Sequence, residues 1–165
     1  MNKALSLFLL VLTSLVVAAC HSVDDERIPY ADVRVTFRTI GDWHQYGVSG
    51  GDTRRFIHTE QESTPTGFPY TVADRTGYGG LLLAMDAMGN IVVFDLACPV
   101  EVRPTIRIYV PEGETYAQCP KCGSTYDIFT NHGNPRSGPA NEHGYALTRY
   151  SAIYGGALEY LTITR

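Results

Sequence analysis

Several motifs that would identify an enzyme or a nucleic-acid-binding protein are missing from this 165-residue sequence. Lysine and arginine form no cluster or stripe, and the formal net charge is −4, so nucleic acid is not an expected partner. The sequence contains no glycine-rich phosphate loop and no Gly-x-Ser-x-Gly nucleophile elbow. No general base or nucleophile accompanies the cysteines, which argues against a catalytic role.

Apolar residues at helical spacing are also missing, so we predict an all-β protein without a convincing helix. Residues 32–40 show the clearest strand pattern, because Val33, Val35 and Phe37 alternate with polar residues as in a half-buried antiparallel strand. Residues 79–99 predict two strands joined by a turn at 88–90. Further strands are predicted in residues 54–58, 70–74, 105–119 (with a turn at 111–113) and 145–163.

The first nineteen residues predict a signal peptide. Lys3 precedes a short apolar run, and small residues lead to Cys20. The run is too short for a membrane anchor and lacks a basic flank. The end of this segment, Val17-Ala18-Ala19-Cys20, resembles the bacterial lipobox, which implies that Cys20 is lipidated and becomes the first residue of the mature chain.

Residues 20–29 form an acidic segment that we expect to be a tether. It resembles the surface-export signal of some Gram-negative lipoproteins, and the alternative is an ordinary solvated linker. We therefore expect an outer-membrane lipoprotein, periplasmic or surface-exposed, that is bound to the membrane by the lipid on Cys20. This location is oxidising, and residues 30–165 are long enough to form a single domain there.

Three further cysteines follow predicted strands. Cys119 and Cys122 form a Cys-x-x-Cys-Gly motif, in which two thiolates can converge on one metal ion, and Cys98 supplies a third. Glu101 stands at the same spacing from Cys98 as Cys122 does from Cys119. The four residues therefore predict a ligand set for one zinc or iron ion, and the alternative for Glu101 is a solvated loop carboxylate.

A longer pattern surrounds these cysteines and resembles the Rieske iron–sulfur domain. Its pieces are CP at 98–99, CPKCGSTYD at 119–127, GNP at 133–135, SGPA at 137–140 and LTRY at 147–150. The resemblance covers about residues 78–163. It implies an antiparallel β-sandwich with a small rubredoxin-like metal-binding subdomain built from two loops. It also implies a [2Fe–2S] cluster and electron transfer to a redox partner protein.

The sequence departs from the Rieske pattern at both histidines. A Rieske cluster takes one cysteine and one histidine from each loop, but Val100 and Cys122 stand at the two histidine positions. The cofactor alternatives are therefore a [2Fe–2S] cluster with unusual ligation, a single zinc or iron ion, or no metal. His132 and His143, on flanking loops, are weaker candidates for a fourth ligand.

A disulfide is the alternative to a metal. In an oxidising compartment Cys98 can pair with Cys119 or Cys122, which would stabilise the fold by roughly 3 kcal/mol. Three thiols leave one unpaired, and this parity favours a metal. The second hypothesis for function follows from this alternative: a structural or interaction lipoprotein that keeps a degenerate Rieske fold, whose cysteines hold zinc or form a disulfide.

Overall fold

The computed structural model describes residues 23–130, 132–155 and 159–165. The predicted signal peptide and the predicted lipidation of Cys20 lie outside these residues. Within the described ranges, no helix has the length and apolar character needed to cross a membrane.

The described residues form a mostly β structure, as predicted. The strands are β1 (Val33–Phe37), β2 (Thr53–His58), β3 (Ser63–Thr64), β4 (Arg75–Thr76), β5 (Leu81–Met85), β6 (Ile91–Asp95), β7 (Tyr116–Gln118), β8 (Thr125–Asp127), β9 (Pro135–Ser137), β10 (Arg149–Tyr154) and β11 (Leu161–Thr164). The alternation predicted for β1 is confirmed, since Val33, Val35 and Phe37 are all buried.

The prediction that no helix occurs is wrong, because α1 (Ile40–Tyr46) and α2 (Pro139–His143) are both helical. Helix α1 buries none of its residues and begins at a capping box, in which Thr39 and Asp42 exchange side-chain-to-backbone hydrogen bonds. Helix α2 begins at a proline and ends at Gly144 in the left-handed conformation. Caps rather than apolar periodicity specify both helices.

Two antiparallel sheets contain all these strands. The large sheet has the order β3-β2-β5-β6-β10-β11-β1-β4, and the small sheet has the order β7-β8-β9. The large sheet curls until its ends approach each other, and there the N–H of His58 donates to Oγ1 of Thr76 over 3.1 Å. The strand predicted at 70–74 is instead a turn, closed by hydrogen bonds from the N–H and hydroxyl of Thr71 to the carboxylate of Asp74.

Strands β5 and β6 separate two hydrophobic cores. Successive side chains of a strand point to opposite faces, so Leu81 and Leu83 pack in the first core, inside the curled sheet. Leu82 and Phe94 pack in the second core, between the outside of this sheet and the small sheet. The continuous apolar run of β5 therefore reflects a strand that is buried on both faces.

Part of the expected tether is packed against the domain. The N–H of Asp24 donates to the carbonyl of Gly144 (2.8 Å), and the N–H of Ala146 donates back to the carbonyl of Asp24 (2.9 Å). The side chain of Ile28 is only 2% exposed. From Asp24 onward, this segment belongs to the packed structure and lies along the residues that follow α2.

The carboxylate of Asp95, at the end of β6, joins three parts of the large sheet. It accepts hydrogen bonds from the N–H groups of Tyr78 (3.0 Å), Gly79 (3.0 Å) and Ala97 (2.7 Å) and from the hydroxyl of Tyr150 (2.8 Å). Asp95 is fully buried. Burial raises the pKa of this carboxyl, and the four hydrogen bonds oppose that rise.

Replacing Asp95 with alanine should destabilise the fold strongly, because it leaves three N–H groups without this acceptor, and those of Gly79 and Ala97 are buried. We expect the free energy of unfolding to fall by about 3 kcal/mol or more, measured by chemical denaturation. Glu112 is exposed, and Glu112→Ala is the control, with an expected change within about 0.5 kcal/mol. A loss below about 1 kcal/mol for Asp95→Ala would contradict the role assigned to this carboxylate.

Candidate metal centre

Cys98 and Cys119 each begin a turn of the same shape, here called the first turn (98–102) and the second turn (119–123). In the first turn the N–H of Val102 donates to the carbonyl of Cys98 over 2.9 Å. In the second turn the N–H of Gly123 donates to the carbonyl of Cys119 over 3.1 Å. Val102 and Gly123 both adopt the left-handed conformation, with φ of 50° and 73°. The chain thus folds around each leading cysteine in the same way.

The two turns bring three sulfur atoms together. The Sγ atoms of Cys98, Cys119 and Cys122 all lie within 4.8 Å of one another, and those of Cys98 and Cys122 are 3.7 Å apart. All three cysteines are free. Cys98 and Cys119 belong to the second core, with exposed fractions of 0% and 1%, whereas Cys122 is partly exposed. This group can hold a metal ion.

The distances within the group fit one tetrahedral ion. Sulfur ligands about 2.3 Å from a zinc ion at tetrahedral angles lie about 3.8 Å from each other. The separation of 3.7 Å between the sulfurs of Cys98 and Cys122 matches this edge. The sulfurs of Cys98 and Cys122 are therefore already spaced for one ion of this size, and that of Cys119 lies within 4.8 Å of both.

Backbone N–H groups oppose the rise in pKa that burial causes at the two buried cysteines. Burial raises the pKa of Cys98 to about 12, although the N–H groups of Glu101 and Val100 and the hydroxyl of Tyr126 act against this rise. The Tyr126 hydroxyl lies 3.6 Å from Cys98 Sγ. A metal ion would supply the positive charge that turns these contacts into hydrogen bonds to thiolate.

Cys119 has a matching environment in the second turn. Burial raises its pKa, and the N–H groups of Cys122 and Lys121 oppose the rise. In both turns these are the N–H groups of the third and fourth residues. Backbone N–H groups at the same two positions of each turn therefore lower the pKa of its leading cysteine.

The environment of Cys122 differs, because Ser124 favours its thiolate form. Burial alone would raise the pKa of Cys122, but hydrogen bonds from the side chain and the backbone of Ser124 lower it overall. The Cys122 thiol donates to Ser124 Oγ over 3.2 Å, and the same oxygen accepts a hydrogen bond from the N–H of Ala140 over 3.0 Å. When Cys122 is a thiolate the serine hydroxyl can donate to sulfur instead, and α2 fixes the serine.

The other predicted ligands lie apart from the three sulfurs. The Glu101 carboxylate is not part of the group of converging donors, and its Oε2 lies 2.6 Å from Lys121 Nζ. His132 is exposed, and His143 is an exposed residue that stacks on Tyr145 at 5.2 Å. In the described part of the chain, the donors that converge are the three predicted cysteines.

Two residues of the site had no role assigned from the sequence, Ser124 and Tyr126. Both stand in the segment GSTYD directly after the second turn. Their spacing places them on one hairpin with Cys122, because β8 returns from the turn alongside β7. This spacing could have predicted that both residues lie near the site. Their contacts with sulfur also depend on how the two turns pack together.

Fold and site together define a mostly antiparallel β protein with a three-cysteine group that can hold a metal ion. Comparison with protein-family models, with curated proteins and with solved structures finds no match for this chain. Its function is therefore argued from the geometry of the site.

The three thiols should differ in reactivity when no metal is bound. Cys122 is partly exposed with a lowered pKa, whereas Cys98 is fully buried with a raised one. Because the thiolate is the nucleophile, iodoacetamide at neutral pH should modify Cys122 first and Cys98 last, as measured by peptide mass spectrometry over time. Ser124→Ala should slow the reaction of Cys122, and equal rates at all three cysteines would contradict this description.

Proposed function

We propose that this chain is a lipid-anchored, extracytoplasmic, Rieske-like metal-binding protein whose Cys98, Cys119 and Cys122 hold one metal ion. The observation that carries this proposal is the convergence of three free sulfurs, from two separate turns, within 4.8 Å. Three thiolates from two turns are a ligand set that zinc and iron accept.

A single zinc or iron ion fits this site better than a [2Fe–2S] cluster. A cluster spreads four protein ligands over two iron atoms, whereas three donors this close together surround one centre. The 3.7 Å separation between the sulfurs of Cys98 and Cys122 equals the edge of a tetrahedron around one ion. We therefore propose that loops arranged as in a Rieske domain hold one ion in place of the cluster.

Three features support the Rieske-like arrangement. Two loops deliver the cysteines to one point, and the small sheet β7-β8-β9 carries the second loop beside the large sheet. The SGPA segment contacts the site, because Ala140 donates to Ser124 beside Cys122. At the two histidine positions of the Rieske pattern, Val100 supplies no ligand and Cys122 supplies sulfur.

Electron transfer to a redox partner protein is the role we propose for the iron form. Iron bound by thiolates changes oxidation state, whereas Zn²⁺ has no redox chemistry in proteins. The anchor expected at Cys20 would keep such a carrier at the membrane surface.

A structural role for zinc is the second candidate, and one observation favours it. Cys98 and Cys119 are members of the second core rather than of an exposed loop. An ion bound there would hold both turns against the large sheet and add its binding free energy to the stability of the fold.

Metal analysis of protein purified without oxygen tests the proposal. We expect about one zinc or iron ion per chain, with visible absorption if the ion is iron. Cys98→Ser, Cys119→Ser and Cys122→Ser should each reduce the bound metal strongly, and His143→Ala should retain it as the matched control.

Two results would contradict the single-ion site. One is protein without metal whose peptide mass shows the loss of two hydrogen atoms at these cysteines, which would establish a disulfide. The other is iron together with an equal amount of acid-labile sulfide, which would establish a cluster. A zinc-only protein would support the structural role and exclude electron transfer.

A further inference from the structure

Glu101 occupies the corner of the first turn that Cys122 occupies in the second. Each turn begins with Cys-Pro, and each closes with a hydrogen bond from the fifth residue to the first. In each turn the fifth residue, Val102 or Gly123, adopts the left-handed conformation. By this equivalence, position 101 is the fourth corner around an ion bound by the three cysteines.

A cation from the other turn holds the Glu101 side chain. Oε2 of Glu101 lies 2.6 Å from Nζ of Lys121, and the Glu101 side chain is only 14% exposed, against 56% for Lys121. Burying a charged carboxylate is costly unless it is paired. Lys121 provides that pairing, and Lys3 is the only other lysine in the sequence.

We infer that Lys121 is a specificity-determining residue that keeps Glu101 out of the metal's coordination shell. This inference rests on the proposed metal site. A carboxylate in a close, charge-assisted hydrogen bond to an ammonium group is a weaker donor to a metal, because the ammonium compensates its charge. The ion is then bound by three thiolates, and its fourth position is taken by an exchangeable small molecule.

Whether Glu101 binds the ion decides which kind of metal site this is. Four protein ligands make a closed structural site, whereas three protein ligands and one exchangeable position are typical of zinc sites that bind small molecules. The Lys121–Glu101 ion pair thus decides whether a small anion or neutral donor can reach the ion. Cys122, the partly exposed member of the group, lies on the side from which such a ligand would enter.

Cobalt binding to the purified full-length chain tests this inference, because Co²⁺ substitutes for zinc and its absorption reports the ligands. Lys121→Met should release Glu101 to the ion, tighten Co²⁺ binding by about tenfold and change the spectrum. Lys121→Arg keeps the positive charge and should behave as the parent chain. Glu101→Gln alone should change affinity by less than about threefold, and in the Lys121→Met background it should remove the gain.

Access to the fourth position provides a second measurement. Added thiocyanate should shift the Co²⁺ spectrum of the parent chain and of Lys121→Arg, but not that of Lys121→Met. Glu101→Cys should give a four-thiolate spectrum that thiocyanate does not change, which would verify that position 101 reaches the ion. Should Lys121→Met unfold, Lys121→Gln removes the same charge from the same exposed side chain.

Two results would overturn the inference while leaving the metal site in place. One is a loss of about tenfold or more in Co²⁺ affinity for Glu101→Gln, because Glu101 would then already be a ligand. The other is Lys121→Met with unchanged affinity and unchanged response to thiocyanate. If the parent chain binds no Co²⁺, the proposed function fails, and this inference fails with it.

Discussion

The site depends on one constraint, the gathering of three sulfur atoms in a space that water largely does not reach. Cys98 and Cys119 are buried, so their thiolate forms are unfavourable without a compensating positive charge. Yet backbone N–H groups from both turns lower the pKa of these two cysteines, and the Tyr126 hydroxyl lies 3.6 Å from Cys98 Sγ. The sulfur of a neutral thiol is only a weak hydrogen-bond acceptor, so donors near it would form weak hydrogen bonds. A bound cation would resolve this conflict, because it would make the sulfurs anionic and strengthen each of these hydrogen bonds.

The rest of the fold supplies the rigidity that this gathering requires. Strands β5 and β6 are buried on both faces, so they fix the first turn relative to two cores at once. Asp95 stands three residues before Cys98 and ties the end of β6 to β10 and to the residues before β5. The second turn is fixed from the other side, where α2 holds Ser124 beside Cys122. The site therefore lies where separately stabilised parts of the chain meet.

Sequence patterns predicted those features that depend on short-range regularity. Alternation of apolar and polar residues predicted β1. The turn signal at 88–90 predicted that β5 and β6 are two paired strands. The repeated Cys-Pro spacing predicted that the three cysteines converge. The short helices were missed because their ends are set by caps and a proline, while neither has an apolar stripe long enough to recognise. At α1 and at residues 70–74 the predictions failed because side chains bond to nearby backbone. Helix α2 has no such side-chain cap and is set by its proline and by Gly144. The first half of the strand pair predicted at 105–119 forms only isolated bridges, at Arg107 and Tyr109.

The side chain of Glu101 shows what spacing cannot predict. The place of Glu101 in the first turn could be predicted because its spacing from Cys98 repeats that of Cys122 from Cys119. Its ion-pair partner, Lys121, lies on the other turn. Which group a carboxylate contacts across two loops depends on how the loops pack, and the sequence of either loop does not contain that information. The same holds for Tyr126, whose hydroxyl reaches the sulfur of Cys98 from a different sheet.

X-ray absorption at the edge of the bound metal counts the sulfur atoms around the ion, so it tests whether Cys98, Cys119 and Cys122 bind it. We expect about three sulfur neighbours at about 2.3 Å, with one lighter oxygen or nitrogen neighbour, as in other thiolate sites. A first shell made only of oxygen and nitrogen would contradict it, because the metal would then lie away from Cys98, Cys119 and Cys122.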